Sequence, residues 1–400
     1  MKILIMNAGS SSLKYQLVDM DGEKNLAKGI VDRIGIDGGK LKQKCNGKEY
    51  VVEQEMKNHT EAIEQTIKAL TDPEYGALTS MDEVAAVGHR VVHGGEFFTK
   101  SALIDETVKD AIRANIPLGP LHNPANLMGI EACESLMPNT PGVAVFDTAF
   151  HQTMPKKTYL YAIPMDYYER LKVRRYGFHG SSHRYVSKRA CEFLGLDYNN
   201  SRIITCHIGN GSSVAAIQNG KSVDTSMGFT PLEGVPMGTR SGAIDPAIIQ
   251  FIANAENKTV DEVTAILNKE SGLIGITGFS SDARDVEDAY MRGDERAILA
   301  YEMLSMSIRK YIGAYAAVMG GVDAIVFTAG IGENDSILRR LTIQNLEYLG
   351  AKLDLEKNET RKEAIISTDD SKVKVAIIPT DEEIVIARDT LAIVTGEELQ

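Results

Sequence analysis

Charged side chains stand at the ends of two apolar segments of this 400-residue sequence, where they could bind a small anion. Asp147 follows the apolar segment 142–146, and Arg90 lies in the segment 84–92, between His89 and His93. A residue that directly follows a buried strand lies at the carboxyl edge of the sheet, where open α/β sheets bind their ligands. Asp147 is therefore a candidate catalytic carboxylate, unless it only caps a turn or a helix. Arg90 is a candidate clamp for a carboxylate or a phosphate, unless it forms a structural ion pair.

A glycine-serine segment near the N-terminus could hold an anionic oxygen. It runs from Asn7 to Lys14, includes Ser10 and Ser12, and separates two segments with the alternation of β-strands. A Walker A loop or a dinucleotide-binding loop would open a helix, so neither motif fits. Backbone N–H groups, hydroxyls and one lysine at a hairpin tip suit a phosphate, although an ordinary tight turn has the same composition.

A second glycine-serine segment repeats the order of the first. A strand pattern at 201–208 leads into Gly209 to Ser213, and a second strand pattern follows at 214–217. The dipeptide Asn219-Gly220 then predicts a hairpin turn before a third strand. This imperfect internal repeat predicts two related domains that face each other, so that two hairpins could grip a polyphosphate.

Two other segments carry candidate phosphate-binding side chains. His179 precedes a predicted helix at 184–194, for which Ser181 is the expected N-cap. Arg240 is the only cation of the glycine- and proline-rich loop 229–246, and long ordered loops are commonly functional. The alternative for His179 is a histidine with a purely structural hydrogen bond.

The elements that must position these residues alternate between strands and helices, which predicts an α/β fold. A change of pattern places the domain boundary near residue 150, and a glycine turn that opens a helix is expected at 330–334. Further strands are predicted at 28–33, 40–52, 323–327 and 373–378, and helices at 60–70, 107–116, 121–136, 246–254, 259–269, 295–319 and 384–395.

Composition limits the classes of function. With 43% hydrophobic and 24% charged residues the sequence is that of a globular protein, and its formal net charge of −12 argues against a nucleic-acid partner. No apolar segment is long enough for a membrane span, so a cytoplasmic protein without a membrane partner is expected. The cysteines have no metal-ligand spacing and are expected to be reduced thiols; they are Cys45, Cys133, Cys191 and Cys206.

In order and spacing, these motifs resemble the acetokinase family, which belongs to the superfamily of acetate and sugar kinases, actin and heat-shock chaperone ATPases. The resemblance covers the whole chain and rests on segments 7–14, 89–95, 146–151, 177–182, 207–213 and 327–334 and on the Arg240 loop. It implies an α/β fold with two ribonuclease-H-like domains, as in actin-like ATPases, that face a nucleotide cleft. The N-terminal domain would comprise 1–150 with the terminal helix 384–400, and the C-terminal nucleotide-binding domain 151–383. A homodimer is also implied.

The family's activity is reversible transfer of the γ-phosphoryl group of ATP to acetate, which gives acetyl phosphate and ADP. The resemblance implies magnesium, with manganese as an alternative ion, held by Asn7 and Glu383. It assigns Asp147, His179 and Arg240 to catalysis. The substrate residues would be Arg90, Val92, Leu121, Phe178 and Pro231. The nucleotide and its phosphates would contact Ser10, Ser12, Lys14, His207, Ile208, Gly209, Asn210, Gly211, Asp282, Ala283, Arg284, Gly330, Ile331, Gly332, Glu333 and Asn334.

Alternatives remain for one residue and for the substrate. Acetate is already ionised at neutral pH and needs no base, so we expect Asp147 to orient magnesium or His179. A propionate or butyrate kinase could use the same scaffold, because one methylene changes binding by only ~1 to 3 kcal/mol. An actin-like or chaperone-like ATPase would need additional segments, and a sugar or glycerol kinase would not need Arg90 and a small pocket.

Overall fold

A computed structural model of the chain describes residues 1–120 and 122–399. Its strands form two mixed sheets. They are β1 (Lys2–Ala8), β2 (Ser12–Asp19), β3 (Lys24–Asp32), β4 (Lys40–Cys45), β5 (Lys48–Glu53), β6 (Val84–Val91), β7 (Ala102–Leu103), β8 (Gly142–Phe146), β9 (Arg202–Ile208), β10 (Ser212–Gln218), β11 (Lys221–Thr225), β12 (Ala324–Thr328), β13 (Ala364–Ile365) and β14 (Lys374–Ile377).

The helices vary from one turn to seven. They are α1 (His59–Leu70), α2 (Glu106–Ala114), α3 (Asn123–Leu136), α4 (Lys156–Tyr159), α5 (Met165–Leu171), α6 (Gly180–Leu194), α7 (Ala247–Glu256), α8 (Val260–Lys269), α9 (Gly272–Thr277), α10 (Ala283–Met291), α11 (Glu295–Met319), α12 (Ala329–Asn334), α13 (Ser336–Ile343) and α14 (Glu382–Thr395). Of the helices in the described ranges, none is long and apolar enough to cross a membrane.

The chain divides into two compact units. Unit 1 comprises Met1–Ala149 and Asp381–Gln400, and unit 2 comprises Phe150–Thr380. The sheet of unit 1 has the order β5-β4-β3-β2-β1-β6-β8-β7, and the sheet of unit 2 has the order β11-β10-β9-β12-β14-β13. In each sheet, three consecutive antiparallel strands are joined to two parallel strands, so β3-β2-β1-β6-β8 corresponds to β11-β10-β9-β12-β14.

The two predicted glycine-serine hairpins are confirmed. Strand β1 pairs antiparallel with β2, which places Asn7 opposite Lys14. Strand β9 pairs antiparallel with β10, which places His207 opposite Ser213. Each hairpin connects the first two strands of its sheet, as the internal repeat predicts.

In unit 1, helix α14 packs against the middle of the sheet at a glycine. A Cβ atom at position 88 would lie 2.5 Å from Thr390 Oγ1 and 2.6 Å from Ile386 Cγ2. Any side chain at Gly88 would therefore push α14 away from β6, the strand that carries Arg90. Apolar residues of α1 and α3 pack with β1 to β4 into the main core of this unit.

In unit 2, alternate residues of β9 face different helices, as the two-residue period of a strand requires. Ile204 and Cys206 join the core formed with the long helix α11. Ile203 packs with Val186 and Ala190 of α6 on the other face. Thr205 and His207 follow Ile203 in the same alternation, so these polar residues lie on the face of the sheet covered by α6.

Two of the predicted elements were wrong in detail. The predicted strand 40–52 is a hairpin, β4 and β5, because Asn46 and Gly47 adopt the positive φ angles of a tight turn. Helix α6 begins at Gly180 with His179 as its N-cap, so the expected Ser181 cap lies inside the helix. The side chain of His179 makes no capping hydrogen bond and its φ is 56°, a conformation in which histidine is found more often than most residues.

Three glycine-containing or terminal segments are more helical than predicted. Residues Gly272–Thr277 form α9, for which no helix was predicted, and the predicted glycine turn at 330–334 is itself α12. Helix α14 begins at Glu382, two residues before the predicted start, because Asp381 Oδ1 accepts a hydrogen bond from Ile384 N. Glu383 therefore lies in the first helical turn of α14.

Candidate active site

Arg90 in unit 1 is held by carboxylates of two other elements. Its Nε donates to Asp147 Oδ1 at 3.2 Å and its Nη2 to Asp147 Oδ2 at 2.5 Å. Glu382 Oε2, on the first turn of α14, lies 3.8 Å from Arg90 Nε. The structure thus shows an ion pair for both residues, and Asp147 is not a turn or helix cap as the alternative interpretation had it. The Nε–Nη2 edge of Arg90 is fixed, while its side chain is still 22% exposed.

Burial and the charges of neighbouring side chains shift the pKa values of Arg90, Asp147 and Glu382. Burial would lower the pKa of Arg90, but Asp147 and Glu382 more than reverse that effect and raise it. Burial raises the pKa of Asp147, which Arg90 opposes and Glu382 reinforces. Burial raises the pKa of Glu382 as well, and neighbouring Glu383 adds to that rise. One guanidinium thus compensates two carboxylates, and each carboxylate takes a proton more readily than an exposed one would.

Two buried asparagines of α3 fix the ends of the strands that carry Asn7 and Arg90. Asn126 Oδ1 accepts from Val92 N at 3.0 Å, and its Nδ2 donates to Ala8 O at 2.8 Å. Asn123 bonds His93 N and His93 O in the same way, at 3.2 and 2.9 Å. Because backbone groups at strand ends lack ladder partners, these amides determine where the strands stop.

Asn7 and Glu383, the predicted magnesium ligands, are both in unit 1. Within residues 1–120 and 122–399, no hydrogen bond or ion pair engages the Asn7 carboxamide or the Glu383 carboxylate. Their oxygens are hard donors of the kind magnesium prefers. The same described residues contain no group of three His, Cys, Asp or Glu side chains that could enclose a metal ion. The donor set therefore fits a magnesium ion that keeps waters and phosphate oxygens as its other ligands.

His179 and Arg240 of unit 2 meet at the tip of the second hairpin. A Cβ atom at position 211 would lie 3.5 Å from both Arg240 Nη1 and His179 Nε2. Gly211 therefore leaves open a space that both nitrogens border. A guanidinium, an imidazole and a glycine backbone around one space suit an anionic oxygen.

Arg240 has no carboxylate within ion-pair distance among the residues that the structure describes. Its Nη1 makes only long contacts, 3.4 Å to Pro231 O and 3.6 Å to Met237 Sδ. Burial lowers the pKa of Arg240, since part of its hydration is lost and no counter-charge replaces it. The guanidinium is thus available to an anion.

The loop that carries Arg240 is anchored by hydrogen bonds at two points before Arg240, Glu233 and Gly238. Arg175 donates to Glu233 Oε1 at 2.6 Å and to the carbonyl oxygens of Thr225, Ser226 and Met227. Nearer Arg240, Gly238 N donates to Asn210 O at 3.1 Å, which ties the loop to the glycine hairpin. These bonds fix the loop backbone before any ligand binds.

Three predicted nucleotide segments surround one pocket of about 660 Å³ in unit 2. The predicted residues that line it are Gly209, Asn210, Asp282, Ala283, Arg284, Gly330, Ile331 and Asn334. Sequence reasoning missed Ser281, Glu287, Asp335 and Arg361, which also line it. Three segments that are distant in sequence thus converge, and each enters the pocket at a strand end or a helix start.

Glu333 and Gly332, which were also predicted to bind nucleotide, form hydrogen bonds with other residues of unit 2. Glu333 Oε1 accepts from Ala329 N at 2.7 Å and from Thr380 N at 3.1 Å. The fully buried Arg339 donates to Gly332 O at 2.9 Å. Neither residue lines the pocket among the described residues, and both shape the backbone of α12.

The remaining predicted residues divide between the units. Val92 and Phe178 were predicted to line the substrate pocket, and both are buried. Val92 lies in unit 1 and Phe178 in unit 2. Leu121 lies outside the described residues. Glu382 was missed, although it stands beside Glu383, because acidic residues at a helix start are already explained by the helix dipole.

Comparison with known proteins gives long and close matches. The sequence pattern of the acetokinase family matches residues 2–388. The acetate kinase of Finegoldia magna is 58% identical over 391 residues, 98% of this chain and 99% of that protein. The crystal structure of Porphyromonas gingivalis acetate kinase has a TM-score of 0.95 at 51% identity and covers 98% of this chain and 99% of that one. A propionate kinase structure from Francisella tularensis has a TM-score of 0.92 at 40% identity, with the same coverage.

This chain is an α/β protein with two sheets of related strand order. Its matches extend over nearly the whole of each chain. The predicted fold class is confirmed. The chain belongs to the acetokinase family.

Proposed function

We propose that this protein is an acetate kinase, which transfers the γ-phosphoryl group of ATP reversibly to acetate and forms acetyl phosphate and ADP. The observation that carries the proposal is Arg240, a partly buried arginine without a carboxylate partner among the described residues, beside His179 and Gly211. Such a cation suits a transferring phosphoryl group, for which a protein supplies mainly position and charge. Membership in the acetokinase family supports the same reaction.

Unit 2 binds the nucleotide in this proposal. The pocket of about 660 Å³ has the size of a small-ligand site and is lined in part by Gly209 and Gly330, which have no side chain to block it. Arg240 and His179 then stabilise the charge that develops on the phosphoryl oxygens. Lys14, Ser10 and Ser12 of the first hairpin are proposed phosphate contacts from unit 1.

Unit 1 binds the acceptor in this proposal. Arg90 holds the acetate carboxylate with the N–H groups that Asp147 does not occupy, and Val92 bounds the methyl group together with Leu121, Phe178 and Pro231. Asp147 acts through Arg90, whose guanidinium it orients. The contact with Arg90 supports this role, and our expectation that Asp147 also orients magnesium or His179 stays a prediction.

Magnesium, or manganese in its place, is the proposed metal ion, and Asn7 and Glu383 would hold it. When bound, the ion neutralises phosphate charge and so favours attack by an anionic acceptor. Asn7 is the last residue but one of strand β1, and Asn126 fixes the neighbouring Ala8 carbonyl.

Further parts of the proposal concern assembly and location. Exposed apolar side chains support a homodimer through unit 2: none of the described residues of α7 is buried, and its Phe251 is 74% exposed. On α11, Leu299, Met303 and Met306 recur at helical spacing and are also exposed. Four buried free thiols suit the reducing cytoplasm, and acetyl phosphate would serve acetyl-CoA formation. Each unit is proposed to be one ribonuclease-H-like domain.

The proposal is tested by incubating the protein with magnesium, ATP and sodium acetate and trapping the acyl phosphate with hydroxylamine as the hydroxamate. Formation of acetohydroxamate that requires ATP and protein is the expected result. Propionate and butyrate in parallel measure the chain-length preference, and a higher rate with propionate would favour a propionate kinase. Absence of hydroxamate with every acid would refute the proposed function.

A further inference from the structure

Four histidines of unit 2 have neighbouring rings, with centroids 4.1 to 6.5 Å apart: His151, His179, His183 and His207. His183, one turn after His179 on α6, is fully buried. Its Nε2 lies 2.7 Å from Ser213 Oγ, and the same hydroxyl lies 2.9 Å from His179 Nδ1. Its other nitrogen, Nδ1, lies 2.6 Å from Thr205 Oγ1. A continuous chain of hydrogen bonds therefore runs from Thr205 through His183 and Ser213 to His179.

The protons in this chain can be counted. Burial lowers the pKa of His183 well below its ordinary value, so this imidazole is neutral and carries one N–H. Each hydroxyl also has one proton, and a ring nitrogen without a proton can only accept. All hydrogen bonds of the chain must therefore point in one direction, either towards His179 or away from it.

Thr205 decides the direction. Its hydroxyl is buried and has no second partner among the described residues. If His183 Nδ1–H donated to Thr205, the Thr205 proton would remain buried without an acceptor, which is unfavourable. If Thr205 donates to His183 Nδ1, then His183 Nε2–H donates to Ser213, and Ser213 Oγ–H donates to His179 Nδ1. Every proton of the chain then has an acceptor.

We propose that Ser213 and His183 are positioning residues that hold His179 as the Nε2–H tautomer, with Thr205 setting the direction of the chain. The proton of His179 then points to the side of Gly211 and Arg240, where His179 Nε2 lies. The opposite tautomer would turn a lone pair towards the phosphoryl oxygens and repel them. His207 stacks on the other side of the ring, with centroids 4.1 Å apart, and so limits its rotation.

The significance for catalysis rests on the proposed function, but the tautomer does not. Nitrogen-15 NMR of histidine-labelled protein without substrate, with His179 identified by loss of its signals in His179→Gln, reports the proton on each ring nitrogen. A pyrrole-type Nε2 and a pyridine-type Nδ1 are expected for His179. An Nδ1–H tautomer or an imidazolium at neutral pH would overturn the proposal without any activity assay.

Ser213→Ala tests the chain of hydrogen bonds that ends at His179. The loss of the Ser213 hydroxyl should convert the His179 signals to those of a mixture of tautomers and lower kcat by roughly 10- to 100-fold, with much smaller changes in KM. Ser213→Thr restores a hydroxyl and should recover the signals and part of kcat. Ser187→Ala, a buried serine of α6 that bonds Tyr198, is the control and should change neither. Unchanged His179 signals and kcat in Ser213→Ala would overturn the proposal.

Discussion

The two units carry one functional arginine each on related sheets, and the two arginines differ in their surroundings. Arg90 of unit 1 lies against Asp147 and near Glu382. Arg240 of unit 2 has no carboxylate partner among the described residues. In the free protein the first guanidinium is already compensated for charge, and the second is not.

This difference separates two ways of binding an anion. A guanidinium that carboxylates already hold is fixed in direction, and its remaining N–H groups can select a small monoanion by geometry. An uncompensated guanidinium in a partly buried site attracts the most highly charged group that can enter, such as a phosphoryl group in transfer. The contrast predicts that removal of Arg90 lowers stability and removal of Arg240 does not, while both removals lower activity.

Arg240→Ala should give the largest loss of activity. We expect kcat to fall by about a thousandfold, because the cation that opposes developing phosphoryl charge is removed. Since no ion pair is lost and an unfavourable burial is relieved, thermal stability should stay the same or rise. Phosphoryl-transfer kinetics and thermal denaturation measure the two effects.

Arg189→Ala is the control for that substitution. Arg189 is a half-buried arginine of unit 2, at its surface, that pairs with Glu363. Its removal should leave kcat unchanged and alter stability little, as surface ion pairs contribute little. A clear drop in the melting temperature of Arg240→Ala would show that Arg240 has a stabilising partner and would remove the contrast with Arg90.

Arg90→Ala should lower both activity and stability. Asp147 and Glu382 would be left without a counter-charge, which costs about 3 kcal/mol of unfolding free energy. The KM for acetate should rise by roughly 10- to 100-fold, the range for one lost charged hydrogen bond. Urea denaturation and acetate titration test these values. Arg113→Ala, an exposed arginine of α2, should change neither; full stability in Arg90→Ala would contradict the compensation described here.

Much of the fold could be predicted because local pattern and tertiary contacts agree. The strand β8 and the helix α11 were predicted at their observed bounds, since each has a continuous apolar pattern with clear ends. The hairpin of β4 and β5 was missed although Asn46-Gly47 is the same turn dipeptide that predicted the turn at Asn219-Gly220. The start of α6 was misplaced because a tertiary contact, and not a capping side chain, fixes the conformation of His179.

The sequence predicts only part of the candidate active site, for a similar reason. Motif residues such as Arg90 and His179 were found from their types and spacing. The partners that orient them, Glu382 and Ser213, come from distant segments and have side chains with common local explanations. A glutamate at a helix start and a serine in a hairpin reveal a second role only when the fold brings them to their partners.

Lys14→Ala compares the first hairpin with the second. Lys14 is exposed and has no ion pair among the described residues, so its removal should hardly change stability. We expect kcat/KM for ATP to fall about tenfold, because an exposed hydrogen bond to a charged phosphate contributes about 1.5 kcal/mol. Lys44→Ala, another exposed strand lysine of unit 1, is the control. Equal losses of activity and stability in Lys14→Ala would make the first hairpin a structural turn.

A last contrast between the units concerns the pKa values of their buried side chains. Burial raises the pKa of Asp147 in unit 1 but lowers the pKa of His151 in unit 2 to about 4. His151 Nε2 lies 3.0 Å from Phe178 O, beside His179, so its neutral form holds this part of the site. Below the ordinary histidine pKa of about 6.5, the unfolded chain binds a proton that folded His151 does not, so its contribution to stability is lost as the pH falls towards 4.

Acidification should therefore destabilise the wild type more than His151→Gln, whose amide can still donate to Phe178 O. Between pH 7 and pH 5.5 the wild type should lose about 1 kcal/mol of unfolding free energy more than the variant. The carboxylates of unit 1 have the opposite sign, because their raised pKa values add stability as the pH falls, but they titrate in both proteins and cancel. Urea denaturation at the two pH values measures the difference. Equal pH dependence in both proteins would mean that His151 titrates as an exposed histidine does.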